Sequence, residues 1–149
     1  MNLERLRSQG RLRLHSARKE EIQEMLRIAM RDLNDADVPG LSSDRRFLIA
    51  YEAALTLATI PLYCSGLETH GSGHHWMTFA VLPDVMGSDI GELAGYFEIC
   101  RTKRHIGTYD RGGQISQSEA EELIEEVKQF QSTIEDWLRI NYPEFHVNE

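Results

Sequence analysis

The amino-acid sequence predicts an all-α protein, an up-and-down four-helix bundle with an additional helix. Three observations carry that prediction. Apolar residues recur at helical spacing along most of the chain. Proline, glycine and capping residues fall between those runs, where helices start and stop. No run alternates apolar and polar residues with the weight of a strand, and no internal repeat or low-complexity segment interrupts the pattern.

The first helix is expected over residues 17–36. Ile22, Met25, Leu26, Ala29, Leu33 and Ala36 form one apolar face. Ser16 is its candidate N-cap, Glu20 and Glu21 suit the positive end of the helix dipole, and "DVPG" at 37–40 ends it. The second helix starts after Ser42 or Ser43 and runs to about residue 65. Its run "FLIAYEAALTLATIPLYC" is apolar on nearly every side, as the central helix of a bundle must be; Pro61 should kink the last turn and Gly66 cap it. After the loop "ETHGSGHH", a shorter helix over about 74–86 places Trp76, Phe79, Ala80 and Leu82 on its apolar side, weakened by Pro83 and closed by Gly87. A fourth helix over about 89–109 carries Ile90, Leu93, Ala94, Phe97 and Cys100. "DRGGQI" breaks the chain. In the fifth helix, Ser116 with Glu119, or Ser118 with Glu121, makes a capping box, followed by the stripe Leu123, Val127, Phe130, Ile134, Trp137 and Leu138, with Pro143 past its end.

A chain of 149 residues is expected to form one domain with a sizeable core. The expected organisation is a basic N-terminal arm at 1–16, a single helical-bundle domain at 17–142 and a tail at 143–149. The arm carries Arg5, Arg7, Arg11 and Arg13 against one acid, Glu4; it is either loosely packed or part of a basic surface. A net charge of −8 excludes whole-surface binding to nucleic acid but leaves room for a local basic site. Cys64 and Cys100 form no CxxC motif and read as two buried, reduced thiols. No signal peptide is recognisable and no run reaches the roughly 18 apolar residues of a membrane span, so a cytoplasmic location without membrane association is expected.

The basic stretch "KRHIGTYD" at 103–110 stands out in this acidic chain. Leu93, Phe97, Cys100 and Arg104 recur at spacings of four, three and four, so Arg104 continues the apolar stripe. A guanidinium on an inward face is costly unless paired. Arg104 therefore either meets a carboxylate, with Asp32, Asp35 and Asp44 as candidates, or lines a cleft that binds an anion, for which its planar fork is well shaped. Arg101 and His105, and His105 and Tyr109, are each four residues apart. Between 101 and 111 four basic residues (Arg101, Lys103, Arg104 and Arg111) face Asp110 alone. The same charges also suit the negative end of the helix dipole, which is the purely structural explanation.

Taken together, "RFLIAYEAALTLA" in the second helix, "GSGHHWMTF" opening the third, the "RDLNDAD" end of the first and the stretch from Arg104 to Tyr109 resemble the HEPN family (higher eukaryotes and prokaryotes nucleotide-binding), in its small prokaryotic, toxin–antitoxin-associated type. The resemblance spans about residues 17–138. It implies a HEPN-like helical bundle, a homodimer whose arginine-bearing helices face one cleft, RNA or nucleotide as ligand, no cofactor, and a cognate antitoxin as protein partner. It further implies a metal-independent endoribonuclease. In that chemistry a histidine four to six residues after the arginine takes the proton of the RNA 2′-hydroxyl, the arginine binds the phosphate, and the product is a 2′,3′-cyclic phosphate. By that comparison Arg104, His105 and Tyr109 are the catalytic candidates, and Arg101, Lys103 and Arg111 the nucleic-acid-binding ones. The sequence departs from the pattern at two places. His105 stands where asparagine is common, and Tyr109 stands where the histidine is expected. Tyrosine, with an ordinary pKa of about 10, is a poor base at neutral pH. His105 points about 100° away from Arg104 on a helix. The alternative is a non-catalytic helical module that binds a protein partner.

His70, His74 and His75 invite a metal reading, but Glu68 is the only acid near them and adjacent histidines diverge on a helix; no metal is expected. Helix capping and loop packing are their ordinary role, with His74 or His75 reaching the cleft beside Arg104 as the functional one. "GSGHH" lacks the lysine and preceding strand of a phosphate loop. The glutamate-rich "SEAEELIEEVKQ" reads as a solvated face, or as a surface for a basic partner.

Overall fold

The computed structural model describes residues 2–109 and 115–146; the side chains of 105–109 lie outside that description. Among the described residues the chain is mostly helical and forms a helical bundle. Its N-terminus departs from expectation. Residues 3–8 form a short helix, α1 (Leu3–Ser8), capped by Asn2, whose Oδ1 accepts the Arg5 N–H at 3.1 Å. Strand β1 (Leu12–Leu14) follows and pairs antiparallel with β2 (Leu67–Thr69), with Leu12 opposite Thr69, Arg13 opposite Glu68 and Leu14 opposite Leu67. Leu6 and Leu12 are buried with Leu62, Met77 and Val81 in a small second core, so the loosely packed alternative for this basic segment does not hold. A three-residue strand is too short to establish a period, yet the alternation around Leu12 puts that leucine inward while Arg13 pairs outward with Glu68.

The long helices follow from their caps and stripes. Helix α2 (Lys19–Ala36) buries Ile22, Leu26, Ala29, Leu33 and Ala36. Arg18, not Ser16, occupies its N-cap position and makes no side-chain cap; Glu20 and Glu21 in the first turn offset its unpaired N–H groups electrostatically. Helix α3 (Ser43–Cys64) starts on the Ser42 hydroxyl, which accepts the Arg45 N–H at 3.2 Å. It ends at Gly66, whose φ of +82° suits a residue without Cβ. Packed between α2 and helix α7 (Gln117–Asn141), α3 is buried on most sides. By length and hydropathy alone α3 would be able to cross a membrane, contrary to the sequence expectation: its best window has a mean hydropathy of 1.5, and 56% of that window is buried inside the fold. Neighbouring helices account for that apolar character.

The segment after β2 divides into α4 (His74–Ala80) and α5 (Leu82–Met86), not one helix, with Pro83 in the first turn of α5, where a missing N–H costs little. A 3₁₀ turn (Ser88–Ile90) leads into α6 (Gly91–Tyr109). Helix α7 opens with the Ser116–Glu119 capping box. The tail adds a 3₁₀ turn (Pro143–Phe145) that packs on α2 and α7. Fully buried Phe97, Phe130 and Phe79 tie α6, α7 and α4 together, with ring centroids 5.1 Å apart for Phe97–Phe130 and 5.6 Å for Phe79–Phe97. Tyr51 of α3, also fully buried, continues the chain of rings 6.0 Å from Phe79.

Candidate functional site

On α6, Phe97 and Cys100 are buried, and Arg104 follows one turn later with a quarter of its side chain exposed. Its guanidinium lies 5.5 Å from the centroid of the Tyr51 ring. Nη2 meets Oε1 of Glu52 at 3.3 Å. The carboxylate partner is thus Glu52, none of the three aspartates considered from sequence. Asp32 pairs with Arg31, and Asp44 accepts the Ile115 N–H. Nε of Arg104 is buried and, among the described residues, has no hydrogen-bond partner. A guanidinium offers five N–H donors; Nε is closed to solvent, and the exposed quarter of the side chain lies elsewhere on Arg104, where an anion can approach.

The other predicted cations are also paired. Arg101 grips Glu98 three residues earlier through Nε (2.9 and 3.0 Å) and Nη2 (2.7 Å). Lys103 reaches across to Glu119 of α7 at 2.7 Å. The basic excess counted along 101–111 is therefore met by acids from outside that window. His105 and Tyr109 lie on α6 with side chains outside the described residues, and Arg111 lies outside them altogether.

Helix α4 brings its first residues to the same place. His75 Nδ1 lies 3.4 Å from Tyr51 Oη, and His74 meets His75 edge to face at 4.7 Å. Burial, then the charges of His74, Arg104 and Arg101, hold the His75 pKa below the ordinary imidazole value. Burial raises the Tyr51 pKa far above its usual value, against the opposing pull of Arg104 and Arg101, so its hydroxyl stays protonated. The result is a neutral imidazole and a neutral phenol beside two arginines.

Neither a family model, a curated protein nor a solved structure matches this chain. Function must be argued from the geometry.

Among the described residues, no group of three or more His, Cys, Asp or Glu side chains is placed to hold a metal ion. Neither cysteine is poised as a nucleophile: burial pushes Cys100 up to about 11 and Cys64 up to about 12. Sequence reasoning missed Tyr51, Glu52 and Glu98. One signal was available, because Glu52 is the sole charged residue between Phe47 and Cys64. A carboxylate inside an otherwise apolar run calls for a cation from another helix.

Proposed function

We propose that Arg101 and Arg104, with His75 beside them and the buried Tyr51 behind, bind a phosphate of RNA or a nucleotide, in a HEPN-like bundle that pairs as a homodimer and cleaves RNA without metal. The observation that carries this reading is the partly exposed Arg104, held on an aromatic ring and by one glutamate, beside a neutral histidine. Arg104 would bind the phosphate with Arg101 beside it, and Lys103 and Arg111 would steer the strand. His75 answers the problem raised by Tyr109. In the tautomer whose Nδ1–H donates to Tyr51 Oη, Nε2 carries the lone pair. The 2′-hydroxyl proton would pass to that nitrogen and the 2′-oxygen would bond to phosphorus. The P–O5′ bond would then break, and the 5′-oxygen would leave with a proton from solvent. His105 and Tyr109 would orient the substrate. A toxin–antitoxin setting with a cognate antitoxin belongs to the same proposal.

A second reading, the non-catalytic partner-binding module, is favoured by one observation. Arg101, Lys103 and Arg104 each already hold a glutamate. Incubation of labelled RNA with the protein in EDTA separates the two. Cleavage to a 2′,3′-cyclic phosphate, lost in Arg104→Ala and in His75→Gln, supports the nuclease. Binding without cleavage, with the salt slope falling by about 0.7 in Arg104→Ala, keeps the phosphate site alone. No cleavage and unchanged binding in Arg104→Ala leaves the partner-binding module.

A further inference from the structure

A cavity of about 250 Å³ opens against Glu98, the carboxylate that pairs with Arg101. Trp76 and Phe79 of α4 and Pro83 of α5 face Gly91, Gly95 and Glu98 of α6 across it. Glu98 is its one charged wall, and the same carboxylate holds Arg101. Trp76 is half-buried, with the Arg11 guanidinium 5.5 Å from its ring centroid. The basic N-terminal segment thus brings a cation to the cavity edge.

We propose that this cavity takes one nucleobase of the RNA or nucleotide whose phosphate engages Arg101 and Arg104, an inference that rests on the phosphate-binding reading above. Size is the first reason. The volume lies below the roughly 300–1,000 Å³ of pockets that enclose whole drug-sized ligands, so it suits a single planar ring system. Shape is the second. The absent side chains of Gly91 and Gly95 leave a flat strip of helix opposite Trp76, and a Cβ on Gly95 would meet nothing within 4 Å. A flat ring entering this slot meets an aromatic wall, and base–aromatic stacking needs no particular base. Continuity is the third. Glu98 and Arg104 are six residues apart on α6, about 9 Å along the axis, the scale of one nucleotide from base to phosphate. An apolar slot joined to Arg101 through Glu98, with Arg104 three residues further along α6, fits a nucleotide better than it fits an uncharged apolar ligand.

Fluorescence anisotropy on the full chain tests this with two labelled oligoribonucleotides of equal length, one complete and one with abasic positions that keep every ribose and phosphate. The complete strand should bind about ten times more tightly. Trp76→Ala and Gly95→Leu should each bring it to the abasic level while leaving abasic binding unchanged. Gly95 is exposed and leucine is the better helix former, so that variant fills the slot without threatening the fold. Arg104→Ala should weaken both strands. Equal affinity for the two strands, or no effect of Trp76→Ala and Gly95→Leu, overturns the base site while Arg104 dependence keeps the phosphate site. No binding of either strand, or no effect of Arg104→Ala, overturns both.

Discussion

Two largely buried arginines, Arg46 of α3 and Arg104 packed against α3 from α6, are used differently. Arg46, near the N-terminus of α3, closes a corner between three helices. Its Nε donates to the Ala36 carbonyl at the end of α2 at 2.9 Å, and its two terminal nitrogens stand 3.8 Å from Asp37 and from Glu121 of α7. Arg104 holds one glutamate, lies on one ring and leaves Nε unpaired. The two side chains are similarly exposed, 20% against 25%, so depth does not separate them. What separates them is donor accounting. Arg46 places its N–H groups against a carbonyl and two carboxylates, whereas Arg104, among the described residues, leaves a buried donor unpaired.

The largest effect expected from that difference is on stability. Arg46→Ala should cost about 2 kcal/mol in urea unfolding, because it uncaps the last carbonyl of α2 and removes a charged donor from the α2–α3–α7 corner. Arg104→Ala should cost under about 1 kcal/mol, since the Glu52 it abandons is 44% exposed and remains hydrated. Equal losses in the two variants would break the comparison and make Arg104 a second structural clamp.

The long helices were legible because local signals mark them. The apolar face of α2, the Ser42 cap of α3 and the Ser116–Glu119 box of α7 are all local signals. The β1–β2 pair was not, because its partners are more than fifty residues apart and each strand has three residues. The inward course of Arg104 could be read from the spacing of Phe97 and Cys100 on the same helix. Its partner could not, because Glu52 and Tyr51 come from another helix and their register against α6 is set only by packing. His75 shows the same limit. Its adjacency to Tyr51 depends on how α4 lies across α3.

On the phosphate-binding proposal, freeing Arg104 sharpens the contrast next. Glu52→Gln removes the charge that competes with a phosphate for Arg104. RNA affinity should rise about three- to tenfold at low salt, and the gain should shrink as salt screens it. Arg46 has no ligand to gain, and Glu121→Gln should leave RNA affinity unchanged. Anisotropy titrations across a salt series read both; a fall in affinity for Glu52→Gln would mean that Glu52 orients Arg104 and does not compete for it.

A smaller effect concerns His75, which faces Tyr51, His74, Arg101 and Arg104. Its folded pKa lies below the ordinary value of about 6.5, so the folded protein binds fewer protons there than the unfolded chain. The stabilising contribution of neutral His75 is complete above pH 6.5 and is lost as pH falls through its lowered folded value. Urea midpoints measured from pH 8 to pH 5 should therefore decline toward acid, less steeply in His75→Gln. Any cleavage activity should likewise persist somewhat below pH 6.5 before its acid limb begins.

The smallest effect lies at the first turn of α7, which serves both arginine regions. Glu121 supports Arg46, and Glu119 binds Lys103 beside Arg104 on α6. The Lys103 hydrogen bond, followed by those of the Ser116 backbone and hydroxyl, pulls Glu119 from its ordinary 4.5 down to about 2. The sign follows from linkage: a depressed carboxylate contributes stability above pH 4.5 and loses it as pH falls toward 2. Because Glu119 is still about a third exposed, at 35%, solvent screening should keep that contribution under about 1 kcal/mol. Glu119→Gln keeps an oxygen for the Ser116 N–H but discards the charge, so the acid slope should flatten while the cap survives. Ser116→Ala should do the opposite, costing about 1 kcal/mol at every pH. If Glu119→Gln also strengthens RNA binding, Lys103 belongs with Arg104 as a cation held in reserve; if it does not, Lys103 belongs with Arg46 as a tie between helices.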